Sequence, residues 1–357
     1  MKSDGRVCHD LLTAKMQQKL GFSEEKDFGE WRKALKAKFN ELLGVELIEA
    51  NANPNPVIEI EAIVQKDGYK QYRCLFESEI GATVIFYVLI PDNAKKGEKR
   101  PMVITLQGHS TGVHNALGEP HDDGDGEYAL AEGKFAVQSV NEGYITVAIE
   151  NRGMGERAAT HIVDEEGKVV RRVYHGQRPG CYYEQMTGVL MGRTVLGERV
   201  FDTKCTIDMV LENFGEYIDE KKIAITGNSG GGTVSFYMAC YDERIALSVP
   251  SCAFCPYPES ILRFYHCSCN YIPFAYKWWD MQDLAALIAP RRLVLVNGEK
   301  DPSFKADGVR RGYETVKKIY EKAGVPDNCK SIIHENGHYW RVDIIWPTIK
   351  EEFAKIK

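Results

Sequence analysis

Gly227-Asn228-Ser229-Gly230-Gly231 sets one hydroxyl among small residues at the junction of two patterns. Before it, Lys222-Ile223-Ala224-Ile225-Thr226 is a β-branched run that predicts a buried strand. After it, Val234, Phe236, Tyr237, Met238 and Ala239 suit a helix. Strand, Gly-rich turn and helix make the context of a nucleophile elbow, a sharp turn that lifts the serine above a sheet. A serine hydroxyl attacks poorly until a base takes its proton and an acid orients that base. Leu293-Val294-Leu295-Val296 predicts a strand, and the loop after it carries Asp301 as the acid, with Glu299 as the alternative. Ser331-Ile332-Ile333 predicts another, and the loop after it carries His338 as the base, with His334 competing. The chain order is then nucleophile, acid, base. A tetrahedral intermediate needs two N–H donors. Gly230 offers one, and His109, in the loop after Met102 to Leu106, is the candidate for the other.

These residues need a scaffold that brings three distant loops to one edge. Asp27-x-x-Glu30 resembles a capping box ahead of Trp31, Leu35, Phe39, Leu42 and Leu43, and Gly44 is a plausible stop, so an amphipathic helix is expected there. Asn53-Pro54-Asn55-Pro56 breaks the pattern. Strands are expected at Val57 to Val64, Gln71 to Glu77, Ala82 to Ile90, Met102 to Leu106, Tyr144 to Ile149 and Ile245 to Val249. Helices are expected at Val200 to Phe214 and Val342 to Lys357. Alternating short apolar strands and helical patterns predict an α/β fold, a central, mostly parallel sheet with helices on both faces. Residues 1–56 read as an N-terminal helical extension packed on the body, and 57–357 as the catalytic domain. Gly108 to Gly133 and Gly153 to Gly192 fit neither period and read as lid-like insertions or surface elaboration.

The chain has 357 residues and a net charge of −6, which offers no basic face for nucleic acid. No apolar run approaches the ~20 residues of a membrane span, and Met1 to Arg6 lacks the apolar core of a secretory signal. Ten cysteines without such a signal predict free thiols in a reduced, cytoplasmic protein.

From Pro101 to Trp340 the chain resembles the α/β hydrolases of the acetyl xylan esterase-like group, which are related to dienelactone hydrolase and cephalosporin C deacetylase. The resembling motifs are Gln107-Gly108-His109, Asn151-Arg152-Gly153-Met154-Gly155-Glu156, Gly192-Arg193-Thr194 and the elbow. They continue with His266-Cys267-x-Cys269-Asn270-Tyr271-Ile272-Pro273, Leu287 to Arg292, Asn297 to Asp301 and Gly337-His338. The resemblance implies an α/β-hydrolase fold, a Ser229, Asp301 and His338 triad, and hydrolysis of small acyl esters, often acetyl groups on sugars. It implies no cofactor. The expected partner is a small-molecule ester, with an acetylated oligosaccharide as one candidate, and the oligomeric state is left open. Two departures stand out: Gln-Gly-His replaces the more usual His-Gly-x, and Arg292 stands where a proline is often found. The same machinery could serve a peptidase, lipase or lactonase, and the fold could serve a non-catalytic binding protein.

Other signals compete. His334-Glu335-x-x-His338 matches a zinc-protease string, but Asn336-Gly337 favours a turn where that site needs a helix. Cys252, Cys255, His266, Cys267 and Cys269 crowd one window without the spacing of a standard zinc module. His121 to Glu132 is a near miss to a calcium loop. No metal is therefore expected. Trp278, Trp279 and Trp340 are candidates for a pocket wall, and Arg152 for a substrate carboxylate or a structural tie.

Overall fold

Asp27 and Gly44 set the ends of the helix Phe28–Leu43. The Asp27 carboxylate accepts from Glu30 N–H at 2.8 Å, and Gly44 closes the helix at φ 79°. Trp31, Leu35, Phe39 and Leu43, one turn apart, are buried in the largest core cluster. The computed structural model describes residues 5–110, 112–119, 133–158, 161–163, 169–172 and 179–357.

Nine strands form the central sheet: β1 (Glu59–Lys66), β2 (Tyr69–Glu79), β3 (Ala82–Pro91), β4 (Arg100–Leu106), β5 (Ile145–Ile149), β8 (Ile218–Asn228), β9 (Ile245–Ser251), β10 (Arg292–Gly298) and β11 (Cys329–His334). A separate antiparallel pair joins β6 (His161–Val163) to β7 (Val169–Arg172). The sheet order is β1-β2-β3-β5-β4-β8-β9-β10-β11. The pairs β1·β2, β2·β3 and β3·β5 are antiparallel, and every pair from β5 to β11 is parallel. This is an α/β-hydrolase sheet.

The strands β3, β4, β5, β8, β9 and β10 are buried over most of their lengths, which explains why they read as continuous apolar runs. Met102, Ile104, Ile223, Ile225, Leu293 and Leu295 face the core that includes the helices Phe28–Leu43, Val195–Phe214 and Gly230–Tyr241. Their neighbours Val103, Ala224, Val294 and Val296 face a second cluster with Ile345, Trp346, Ile349 and Phe353 of the helix Val342–Ala354. The alternation is the period of two that any strand imposes.

Register then sets the loops. Gly298 pairs with His334 at the ends of β10 and β11. Glu299 N–H donates to His334 O at 2.7 Å, and Lys300 N–H to Asn336 O at 2.9 Å, so the two loops run on side by side. A Cβ on Gly298 would sit 1.9 Å from Gly337 O. Only glycine allows that approach.

The expected irregular segment from Gly153 to Gly192 holds the helix Pro179–Met191. It escaped the sequence reading because Tyr182, Tyr183, Met186, Leu190 and Met191 are exposed, so no single apolar stripe marks it. The calcium-like string from His121 to Glu132 lies outside the described residues. Among the described residues, no helix is long and apolar enough to cross a membrane.

Candidate active site

Ser229 follows the last residue of β8 and precedes the helix Gly230–Tyr241, with φ 54° and ψ −117°. A non-glycine residue held there stores roughly 1–3 kcal/mol of strain and needs neighbours that fix it. Ser229 N–H donates to Ser251 O at 2.8 Å, and Thr233 N–H donates to Ser229 O at 2.8 Å. The strain therefore rests on β9 on one side and the helix on the other. Gly230 opens that helix, where the first N–H groups have no partner within the helix and carry the positive end of its dipole.

Asp301 lies in the turn after β10, and its two oxygens have different tasks. Oδ1 accepts from Ser303 N–H at 2.8 Å and Phe304 N–H at 3.0 Å. Oδ2 lies 2.7 Å from His338 Nδ1. Burial pushes this carboxyl up, but the bond and charge of His338, with the two backbone donors, hold it below its ordinary value. An ionised carboxylate only accepts, so Nδ1 donates and Nε2 is left as the basic nitrogen. Phe304 stacks on the His338 ring at 5.9 Å and 14° and meets His266 edge-on at 5.1 Å. Neither Phe304 nor His266 was singled out for orienting the base. A phenylalanine after Asp-Pro-Ser carries no signal of such contact.

Of the rival groups, Glu299 has a charged partner of its own and His334 is bonded through Nδ1 alone. Glu299 pairs with Arg310 at the surface. His334 Nδ1 accepts from Asn336 N–H at 3.3 Å. Residues 335–341 form no helix, as Asn336-Gly337 implied, so His334 and His338 do not share the helical face that a zinc-protease site needs.

His109 follows β4, whose Leu106 pairs with Gly227 of β8, and so sits beside the elbow. Its ring occupies the space above Gly230, where a Cβ would lie 2.6 Å from Nδ1. Its Nε2 is 3.0 Å from Cys269 Sγ, so the imidazole reaches back into a sulfur cluster. Glu150, at the end of β5, braces this loop. It accepts from Gln107 Nε2 at 3.1 Å and from Val113 N–H at 3.0 Å. This gives the unusual glutamine of Gln-Gly-His a structural task.

Burial pushes Glu150 up to about 7 from an ordinary 4.5. The folded state thus holds the Glu150 proton more tightly than the unfolded chain. Its contribution to stability is full below about 4.5 and falls as pH rises through about 7, by a total on the order of 3 kcal/mol. Glu150→Gln should therefore shift Tm relative to the parent by an amount that grows more favourable from pH 5 to pH 8. Melting curves across that range check this, and a Tm difference that stays constant with pH would contradict it.

The aromatic and arginine candidates take other roles. Trp279 is fully buried against Phe39, and Trp340 is fully buried against Phe135 with its Nε1–H donated to Gln138. Trp278 lies under Lys38 and Lys19, at 4.2 and 4.9 Å from its ring. Trp279 and Trp340 have no exposed surface with which to wall the site, and the Trp278 ring is in contact with lysines. Arg152 is a structural tie. Its guanidinium meets Glu79 at 2.5 Å, Asp202 at 2.8 Å and Glu198 at 3.5 Å, all largely buried. A cavity of about 690 Å³ does open beside the site. Tyr182, Met186, Tyr265, His266, Cys267 and Phe274 are among its lining residues, while Ser229, Asp301 and His338 are not.

The fold has known counterparts. A Bacteroides fragilis NCTC 9343 protein, provisionally named an acetyl xylan esterase, superposes with a TM-score of 0.74 at 19% identity, over 98% of this chain and 95% of its own. A glucuronoyl esterase from Solibacter usitatus gives 0.64 at 14% identity, over 96% and 99%. In sequence, YtaP of Bacillus subtilis (strain 168), provisionally named a hydrolase, is 23% identical over 251 residues, 68% of this chain and 75% of that protein. The profile of the Abhydrolase family matches residues 2–346, nearly the whole length, and the chain belongs to that family.

Proposed function

We propose that this chain is a serine carboxylesterase that cleaves small acyl esters, acetyl esters of carbohydrates foremost, through an acyl-enzyme. One observation carries the reading: the 2.7 Å bond between His338 Nδ1 and Asp301 Oδ2 at the sheet edge that also bears the strained Ser229. In this mechanism Ser229 Oγ attacks the ester carbonyl while His338 Nε2 takes its proton. Asp301 keeps the imidazole in the required tautomer and stabilises its cation. The N–H of Gly230 and that of His109 hold the oxyanion. His338 then protonates the leaving alcohol, and water repeats the sequence to free the acid. Apart from that water, the catalytic groups are side chains and backbone of this chain.

The substrate class rests on the names of the structural neighbours, which include acetyl xylan and glucuronoyl esterases. The aromatic cavity next to His266 suits a sugar ring on the leaving-group side. The engagement of Arg152 by three carboxylates argues against a charged substrate group at that position. All ten cysteines are unpaired, as a reducing compartment such as the cytoplasm would require.

A fluorophosphonate probe is expected to label Ser229, located by peptide mass spectrometry. Acetylated xylo-oligosaccharides are expected to be cleaved faster than octanoyl esters or methyl glucuronate. No label on a folded sample would end the serine-esterase reading, and a preference for octanoate would end the small-acyl part of it.

A further inference from the structure

Four ligand atoms of a kind that binds soft metal ions converge beside the elbow. His109, Cys181, Cys267 and Cys269 each offer one, and all lie within 4.8 Å of one another. Cys181 and Cys269 are buried; His109 and Cys267 are half-buried. The sequence window had suggested Cys252, Cys255 and His266 as companions of Cys267 and Cys269, and the fold separates them. Cys252 sits with Asp301 and His338, Cys255 Sγ reaches Lys305 O, and His266 packs on Phe304.

We propose that His109, Cys181, Cys267 and Cys269 form a closed, tetrahedral Cys₃His site for a zinc-class divalent ion. Three observations carry this. The first is the donor set: three sulfurs and one imidazole nitrogen fill a structural zinc site completely. The second is size. Sulfur at ~2.3 Å and nitrogen at ~2.1 Å from an ion set ligand edges of roughly 3.6–3.8 Å, inside the span of these atoms. His109 Nε2 and Cys269 Sγ, at 3.0 Å, need move apart only slightly.

The third is charge. Arg199 is completely buried in the helix Val195–Phe214. It donates to Arg152 O and, through Nη2, to Cys181 Sγ at 3.1 Å, and no carboxylate accepts from it among the described residues. Beside neutral thiols this buried guanidinium would have no bonded counter-charge, only the nearby carboxyl of Glu184, which does not bond it. Three thiolates around a divalent ion carry a net charge of −1, which Arg199 balances. On binding, each thiol releases its proton to solvent as its sulfur bonds the ion, and nothing is oxidised or reduced.

All four positions of this site are protein ligands, so it holds structure and leaves no place for a substrate. It ties together the first turn of the helix Pro179–Met191, the segment around Ser268–Asn270 and the loop after β4. The His109 ring lies against Gly230, so the bound ion would fix the proposed oxyanion loop at the elbow.

The test uses the full chain, stripped of metal under reducing conditions and titrated with Co²⁺ alone. Expected are thiolate-to-cobalt charge transfer and the intense visible bands of a tetrahedral complex, saturating at one Co²⁺ per chain and displaced by Zn²⁺. Cys181→Ser and Cys269→Ser should bind Zn²⁺ more than ~100-fold more weakly, since even outer partners of a ligand cost 10–100-fold. Cys8→Ser, at an exposed cysteine elsewhere, should bind normally. Absence of the cobalt–thiolate bands in the folded parent chain would overturn the site, whatever the variants do. So would a disulfide between two of the three cysteines in protein purified without reductant and competent to fold. The readout is separate from esterase activity: labelling of Ser229 without metal binding sinks this inference alone, and metal binding without labelling sinks the esterase reading alone.

Discussion

Ser229→Ala is expected to lower kcat by roughly 10⁴- to 10⁶-fold while leaving the fold intact. The size follows from the role, because the Ser229 hydroxyl is the group that takes the acyl unit in this mechanism. The preserved fold follows from the geometry. The left-handed φ of 54° is held by backbone bonds to Ser251 and Thr233, which an alanine keeps. Alanine also has the same Cβ, so the strain of the turn is unchanged. KM should move little, since a hydroxyl that acts at the reacting bond contributes mainly in the transition state. Steady-state kinetics on an acetyl ester with a Tm measurement on the same sample check this. Near-parental turnover in a folded variant would remove Ser229 from the mechanism.

Asp301→Asn is expected to cost about 10⁴-fold in kcat, through the tautomer of His338. The reason lies in how the carboxylate is held. Ser303 and Phe304 N–H both point at Oδ1, so an asparagine must place its carbonyl oxygen there. Its amide N–H then faces His338 Nδ1, which can only accept. The imidazole hydrogen moves to Nε2, and the nitrogen that should take the Ser229 proton no longer can. Little stability is lost, because the shape and all three hydrogen bonds persist with one reversed. Kinetics combined with imidazole ¹⁵N NMR separates this account from simple collapse. A loss below tenfold, or an unchanged tautomer with activity lost, would contradict it.

The chemistry-bearing loops were legible because each follows a strand that its own residues specify. The β-branched run before Ser229 and the apolar run before Asp301 are buried on both faces, and the half-buried run before His338 is short and β-branched, so these strands announce themselves without neighbours. The capped helix over Phe28–Leu43 was legible for a similar reason: Asp27 and Gly44 act locally. Residue type failed where one type serves two ends. Tryptophan suits a pocket or a core equally, and only packing put Trp279 and Trp340 inside. The window of cysteines did not show which of its members meet, because sequence proximity is not spatial proximity. Cys252 and Cys255 leave β9 toward Asp301 and Lys305, while Cys267 and Cys269 turn toward the β4 loop.

The sequence by itself determined the strands of the sheet, their mostly parallel pattern and which three loops follow β8, β10 and β11, because strand periodicity, caps and glycine turns are encoded within a few residues. Tertiary structure alone decided which side chains meet there. The pairing of Gly298 with His334 sets Asp301 against His338, the β4–β8 register lays His109 over Gly230, and the buried Arg199 stands beside Cys181. Such contacts join residues far apart in the chain, and their distances depend on sheet register and helix packing, which no local pattern carries.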